Sequence, residues 1–254
     1  MQSLFNLEGK VALVTGSSRG LGKSMAEALA EAGAFVILNG RDRTRLEMVN
    51  REFHERNLTA MSISFDVTKE EEVDLGFQKI DETWGPVDIL VNNAGIQIRH
   101  PAENFPHQDW NRLIETNLTA SFITAQYAVR GMLRRRSGKI INVCSVLSEV
   151  ARPGVSAYTV SKGGLKMLTK AMAAEWGAYN IQCNGIGPGY FNTEMNQPLM
   201  DDIEFNAWVK KRTPSARWGD PKDLKGPIVF LASKASDYVN GHILYVDGGL
   251  LATI

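Results

Sequence analysis

Cysteine is scarce in this chain: Cys144 and Cys183 are the 2 among 254 residues. Both follow apolar runs and read as small buried side chains. No Cys/His spacing of zinc type occurs, so no metal is expected. An excess of one charge is also missing. Lys plus Arg and Asp plus Glu number 28 each, a formal net charge of zero, which argues against bulk nucleic-acid binding. No long block of like charge marks a disordered tail, and Arg134-Arg135-Arg136 reads as a solvated helix end. The opening residues, Met1 to Asn6, lack a basic region followed by an apolar run, so no signal peptide is expected. Nor does any stretch of about 18 apolar residues offer a bilayer span. The expectation is a cytoplasmic protein with neither membrane nor nucleic acid as partner.

What is present is enough apolar sequence for a full core. With 44% hydrophobic and 22% charged residues, the chain suits a single globular domain over 1–254. Short β-branched runs alternate with longer helical stretches. Strands are expected at Lys10 to Thr15, Ala34 to Asn39, Ala60 to Phe65, Val87 to Val91, Lys139 to Cys144, Ile181 to Ile186 and His242 to Val246. Most are nearly continuous apolar runs, as strands buried on both faces should be. Between them, Lys69 to Trp84 carries Val73, Phe77, Ile80 and Trp84 on one helical face, with Thr68 and Glu71 placed as a capping box. Further helices are expected over about Asp109 to Arg135 and Val155 to Tyr179. This alternation predicts a doubly wound (Rossmann) α/β fold, a parallel seven-stranded sheet with helices on both faces. The proline-interrupted stretch at about 188–218 breaks the rhythm. It lies at the C-terminal end of a strand, where a lid over a ligand would sit.

After the first strand comes Thr15-Gly16-Ser17-Ser18-Arg19-Gly20-Leu21-Gly22, and a helix follows. Glycines at such a turn let backbone approach a pyrophosphate, and the helix N-terminus offers free N–H groups. Gly16, Ser18, Arg19, Gly20, Leu21 and Gly22 are therefore candidate nucleotide contacts. Dinucleotide sites usually hold the ribose with an acid at the tip of the second strand. Here the tip reads Leu38-Asn39-Gly40-Arg41, without one. Arg41 and Arg19 are placed to flank a 2′-phosphate, so NADP(H) is preferred, with NAD(H) use possible through Asp42. Asp66 and Val67 end the third strand, and Asn93, Ala94 and Gly95 end the fourth. Both are strand ends where ligands bind in open sheets, with Asp66 a candidate acceptor for an adenine amino group.

Tyr158 and Lys162 stand four positions apart on a predicted helix, which puts them on one face. A neighbouring ammonium is expected to lower the phenol's pKa, making the tyrosine a general acid/base. Ser145 lies thirteen positions earlier. Taken alone, a Tyr-x-x-x-Lys pair is a common surface pattern. The ordered set is far more specific. The glycine motif, Asn92-Asn93-Ala94-Gly95, Asn117, Ser145, Tyr158-x-x-x-Lys162 and Pro188-Gly189 with Thr193 resembles the short-chain dehydrogenase/reductase family over essentially the whole chain. That resemblance implies a catalytic tetrad of Asn117, Ser145, Tyr158 and Lys162, and places Pro188, Gly189 and Thr193 beside the nicotinamide. It implies Tyr158 as acid and base, Ser145 as orienting hydroxyl, Lys162 as ribose holder and Asn117 as the anchor of a relay water. It also implies a homotetramer.

Asn92 to Pro101, Cys144 to Glu149, Asn180 to Tyr190 and Lys211 to Gly219 narrow the resemblance to family members acting on six-carbon sugar acids. The implied reaction is reversible hydride transfer at C5. Burying a sugar-acid carboxylate needs a cation or several donors. Arg99 and Arg152 are candidates for a two-pronged clamp, and Glu149 for accepting from a sugar hydroxyl or pairing with Arg152. Gln97, His100, Tyr190 and Trp218 are weaker candidates. Competing expectations are a reductase of a 3-keto sugar acid or a 3-oxoacyl thioester, and a catalytically silent nucleotide-binding regulator.

Overall fold

The computed structural model describes residues 2–253. In chain order its elements are α1 (Gln2–Phe5), β1 (Val11–Val14), α2 (Gly20–Glu31), β2 (Phe35–Gly40), α3 (Arg43–Glu55), β3 (Ala60–Ser64), α4 (Glu70–Trp84), β4 (Ile89–Asn92), α5 (His107–Ile114), α6 (Ala120–Arg135), β5 (Gly138–Val143), α7 (Ser156–Trp176), β6 (Ile181–Pro188), α8 (Gln197–Asp201), α9 (Ile203–Arg212), α10 (Lys225–Ala232) and β7 (Ile243–Val246). The seven strands form one sheet in the order β3-β2-β1-β4-β5-β6-β7, every pairing parallel. Strand order reverses between β1 and β4. A crevice opens there at the carboxyl ends of the strands.

Side chains alternate across each strand and both faces are covered. Ala12 and Val14 of β1, Val36 and Leu38 of β2, and Ile89 and Val91 of β4 pack against Met25 and Leu29 of α2, Leu46 and Phe53 of α3, and Ile228 and Leu231 of α10. Their neighbours Leu13, Ile37 and Leu90 face the other way, onto Val73 and Phe77 of α4, Ala125 and Met132 of α6, and Met172 of α7. Continuous apolar runs are what two buried faces require. The expected strands stand within one or two residues of their observed bounds.

The helices depart from expectation in two places. The Thr68 and Glu71 capping box does not form. Lys69 occupies the N-cap position with no side-chain cap, because the Thr68 N–H and hydroxyl instead donate to Asp66 Oδ1, at 3.0 and 2.8 Å. The helix expected from Asp109 begins at His107 and is interrupted by a π-helical turn at Glu115–Thr119, the kind of inserted residue that often marks functional sites. Between β6 and α10 the chain builds α8 and α9. Asp202 caps α9 by accepting from the Phe205 N–H at 3.0 Å.

A buried polar ladder joins the sheet to the helices behind it. Asn142 on β5 accepts from the Asn92 amide at 2.9 Å and donates to Thr169 Oγ1 on α7 at 2.9 Å. Thr124 on α6 donates to Asn92 Oδ1 at 2.7 Å. All four residues are buried. Asn142→Ala leaves two buried polar groups short of a partner, each costing about 1–3 kcal/mol. The expected loss of stability is about 2–4 kcal/mol in urea unfolding, and a variant of wild-type stability would show the ladder to be energetically idle.

Candidate active site

The turns after β1 and β4 meet at the crevice and are stitched by side-chain hydrogen bonds. Thr15 Oγ1 accepts from the Asn93 and Ala94 N–H groups, both at 3.0 Å, and the Asn93 amide donates to Thr15 O and Gly16 O at 2.9 and 3.0 Å. Gly16 has φ +64°, and a Cβ there would lie 2.9 Å from Ala94 Cα, so only glycine fits this close approach. The first turn of α2 has no side-chain cap. Its N–H groups therefore stay available to a phosphate.

Around this junction lies a cleft of about 530 Å³, within the range of ligand sites. Gly16, Ser18, Arg19, Gly20, Leu21, Gly22, Arg41, Asp66, Val67, Asn93, Ala94 and Gly95 line it, joined by Tyr158, Lys162, Pro188, Gly189 and Thr193. Ser145, Arg99 and Arg152 line its other end, with Gln97 and Tyr190. Two expected site residues do not line it. Asn117 is fully buried in the π-helical turn. Its Oδ1 accepts from the Ile96 N–H at 2.8 Å, and its amide donates to Ile96 O and Ser161 Oγ at 3.0 and 3.3 Å. It thus braces the loop after β4 against α7. Glu149 is corrected outright: both its oxygens accept from Lys166 Nζ at 2.6 Å, and Oε1 accepts from the Tyr245 hydroxyl at 2.7 Å. The Lys166 contact, then the Tyr245 one, hold its carboxyl below the usual range. It pairs with neither Arg152 nor the cleft. His100 and Trp218 also lie off the cleft: His100 contacts Asp109, and Trp218 Nε1 donates to Asn206.

Tyr158 and Lys162 share one face of α7, with Nζ 5.6 Å from the ring centroid. Lys162 is buried and donates to the Val143 carbonyl at 2.6 Å. Burial pulls its pKa down to about 8, opposed by Cys144. The expected lowering of the Tyr158 pKa is overturned. Although Tyr158 opens on the cleft and is half-buried as a residue, the dense protein around it pushes the phenol up to about 12, against the nearby Ser145 hydroxyl and the charge of Arg99. Desolvation outweighs both, and the Lys162 ammonium spends its short contact on a neutral carbonyl. Ser145 Oγ accepts from the Leu147 N–H at 3.1 Å, which leaves its own proton free to donate.

At the nucleotide end, Asn39 is buried and its amide donates to Ile63 O and Phe65 O at 3.3 and 3.2 Å. Asp42 accepts from the Arg45 N–H at 2.9 Å as the cap of α3. Asp42, the ribose candidate at the β2 tip, thus spends one oxygen on the cap while still lining the cleft. Asp66 is pulled two ways. Burial acts to raise its pKa, but the Thr68 N–H and hydroxyl, then Arg41 and Lys69, outweigh it and hold it low. Arg45 and Glu194 also line the cleft. Sequence reading missed both, because neither stands in a motif or at a strand tip.

At the far end, Arg99 and Arg152 enter the cleft together, and neither has a carboxylate partner among the described residues. Burial, then the charge of Arg152, lowers the Arg99 pKa, with Tyr190 and Tyr158 opposing. The Arg152 guanidinium lies 5.1 Å from the Phe205 ring centroid, and its buried Nε has no hydrogen-bond partner among the described residues. Gln97 Oε1 is likewise buried and unpartnered. Burial raises the Tyr190 pKa against the pull of both arginines.

Comparison with known proteins gives a consistent picture. The family model described as short chain dehydrogenase matches residues 10–204. The chain is 48% identical over 254 residues to a 5-keto-D-gluconate 5-reductase of Escherichia coli, covering 100% of both chains. It is 48% identical over 253 residues to a 2-dehydro-3-deoxy-D-gluconate 5-dehydrogenase of Formosa agariphila, covering 99% of this chain and 96% of that one. Among solved structures, a gluconate 5-dehydrogenase of Burkholderia cenocepacia in complex with NADP and tartrate superimposes with a TM-score of 0.97 at 46% identity, covering 100% of this chain and 99% of that one.

Lys162 makes stability pH-dependent in a direction fixed by its burial. Its folded pKa is near 8, against 10.5 for an exposed lysine, so the folded chain holds fewer protons across that interval. Stability should therefore rise with pH from 8 to 10.5, while the penalty is complete below 8. Tyr158 acts oppositely, eroding stability from pH 10 to 12. In urea unfolding, wild type should gain about 3 kcal/mol relative to Lys162→Met between pH 7 and 10.5. Parallel pH profiles for the two proteins would contradict this assignment.

Proposed function

The chain belongs to the short-chain dehydrogenase family, and from that premise we propose that it is an NADP(H)-dependent oxidoreductase interconverting D-gluconate and 5-keto-D-gluconate. One observation carries the substrate reading. Two cleft-lining guanidiniums, Arg99 and Arg152, converge beside Ser145 and Tyr158 with no carboxylate partner among the described residues. Such a pair repels itself and is stabilised by an anion, and a sugar-acid carboxylate supplies one with bidentate geometry. The names of the relatives agree, and the bound tartrate of the Burkholderia enzyme is itself a hydroxy acid. The uncapped α2 terminus and the Gly16 turn suit a pyrophosphate. Arg19, Arg41 and Arg45 line that end of the cleft, and Asp42 spends one oxygen capping α3, which together favour the 2′-phosphate of NADP(H).

The residues divide the work by position. A nicotinamide bound in the cleft supplies the hydride in reduction and takes it back in oxidation. Lys162 keeps two of its three protons beyond the Val143 contact for ribose hydroxyls. Tyr158, neutral at physiological pH, hands its proton to the C5 oxygen in reduction and recovers it in oxidation. Ser145 donates a hydrogen bond to that oxygen, keeping its own proton, and offsets the charge developing there. Asn117 positions this centre through Ile96 and Ser161, and the relay-water role is part of the same reading. The 188–218 segment acts as the lid of the single domain, with Arg152 resting on its Phe205. Glu149 is left out of the substrate set. Our reading includes a cytoplasmic homotetramer. Exposed Phe122 on α6, with Val160 and Met167 on α7, supports association through these helices.

Oxidation of NADPH with 5-keto-D-gluconate tests the assignment directly. Turnover of an acetoacetyl thioester in its place would sink it, and 2-dehydro-3-deoxy-D-gluconate tests how closely the pocket reads the chain beyond C5. Tyr158→Phe should retain NADPH binding and lose nearly all turnover; robust activity would remove Tyr158 from its role. Arg152→Met forfeits a charged hydrogen bond of about 1.5–3 kcal/mol. Its KM for the sugar acid should rise at least about tenfold, with NADPH affinity unchanged, and an unaltered KM would place the carboxylate elsewhere.

A further inference from the structure

Glu194 opens the one-turn 3₁₀ helix Glu194–Asn196 that follows Thr193. Its Oε2 accepts from Arg19 Nη1 at 3.1 Å and from Arg45 Nη1 at 3.4 Å. Arg19 belongs to the glycine turn before α2 and Arg45 to the first turn of α3, so a single carboxylate oxygen bridges three segments of chain. All three residues line the cleft. The third arginine at this end, Arg41, lies 3.6 Å from Asp66 Oδ2. Every arginine at the nucleotide end is thus faced by an acid, whereas Arg99 and Arg152 are not.

We propose that Glu194 is a specificity-determining residue of the nucleotide site: its carboxylate occupies the two arginines that a 2′-phosphate would take, and so competes with NADP(H) but not with NAD(H). This rests on the NADP(H) reading above. The argument is one of charge. A phosphate dianion held by Arg19 and Arg45 and a carboxylate held by the same two groups exclude each other by occupancy and by repulsion. Binding NADP(H) therefore requires both Glu194 ion pairs to break. A cofactor with a free 2′-hydroxyl brings no anion to that spot and leaves them intact. Glu194 in this way lowers the discrimination that Arg19, Arg41 and Arg45 would otherwise impose, and keeps NAD(H) within reach. Because Glu194 follows Thr193 into the 188–218 segment, its release also frees the first turn of that segment when the phosphorylated cofactor enters.

Isothermal titration of wild type and Glu194→Gln with NADP⁺ and with NAD⁺, at one fixed ionic strength, tests this. The pairs are exposed, with side-chain exposures of 61% for Arg19, 42% for Arg45 and 62% for Glu194. Relief should accordingly tighten NADP⁺ binding by only about three- to tenfold, and NAD⁺ binding should move by less than about twofold. Adenosine 2′,5′-bisphosphate against 5′-AMP should reproduce the difference, and Arg45→Gln placed on Glu194→Gln should remove most of the gain. An unchanged NADP⁺ affinity, or equal shifts for both cofactors, overturns the proposal. Weaker NADP⁺ binding also overturns it, by showing that Glu194 holds the arginines ready for the phosphate. The wild-type preference is a separate readout. If NAD⁺ binds more tightly than NADP⁺ to wild type, the cofactor reading fails, and the ratio of ratios still decides the role of Glu194.

Discussion

The hydrogen bond from the Lys162 ammonium to the Val143 carbonyl fixes the geometry from which the rest of the cleft follows. It spans 2.6 Å between the middle of α7 and the end of β5. A buried cation with a neutral partner is a strained arrangement, and the ladder of Asn92, Asn142, Thr124 and Thr169 holds the surrounding elements so that it persists. With Lys162 pinned, Tyr158 one turn earlier must face the crevice, and Ser145 two residues beyond Val143 must meet it. The same desolvation pushes the phenol toward neutrality and the ammonium toward losing its proton. The tyrosine is therefore held in its protonated form at neutral pH.

The two ends of the cleft differ in how their positive charge is balanced. At the nucleotide end Arg19, Arg41 and Arg45 stand in pairs with Glu194 and Asp66. Apart from Asp66 these groups are largely solvated, so exchanging Glu194 for another anion there costs little. At the far end Arg99 is exposed and Arg152 half-buried; each feels the other's charge, Tyr190 and the Phe205 ring lie near, and neither faces a carboxylate among the described residues. An anion entering there meets two cations with no resident carboxylate to displace. Resident acids thus balance the positive charge at one end of the cleft and leave it unmatched, among the described residues, at the other.

Between the two ends, irregular backbone does the joining. The π-helical turn at Glu115–Thr119 lets Asn117 reach Ile96 and Ser161 at once, which ties the loop after β4 to the helix bearing Tyr158. The Thr15 and Asn93 contacts tie the same loop to the glycine turn. The walls that would hold a dinucleotide and a sugar acid are in this way parts of one braced unit.

The fold class was legible in the sequence because apolar runs four to eight residues long, separated by helix-period stretches, leave a parallel sheet covered on both faces as the arrangement that buries them. The glycine turn, Tyr158 and Lys162 were legible because local spacing alone sets their geometry, through a tight turn in one case and one helical turn in the other. Tertiary structure decided what depends on residues distant in sequence. Thr68 was drawn away from its cap by Asp66, and Glu149 was taken by Lys166 and Tyr245, seventeen and ninety-six positions off. Arg45 and Glu194 meet across 149 positions, with no local pattern to announce them. The direction of the Tyr158 shift was likewise a matter of packing: spacing places an ammonium near a phenol, but only the folded core determines how much water remains around them.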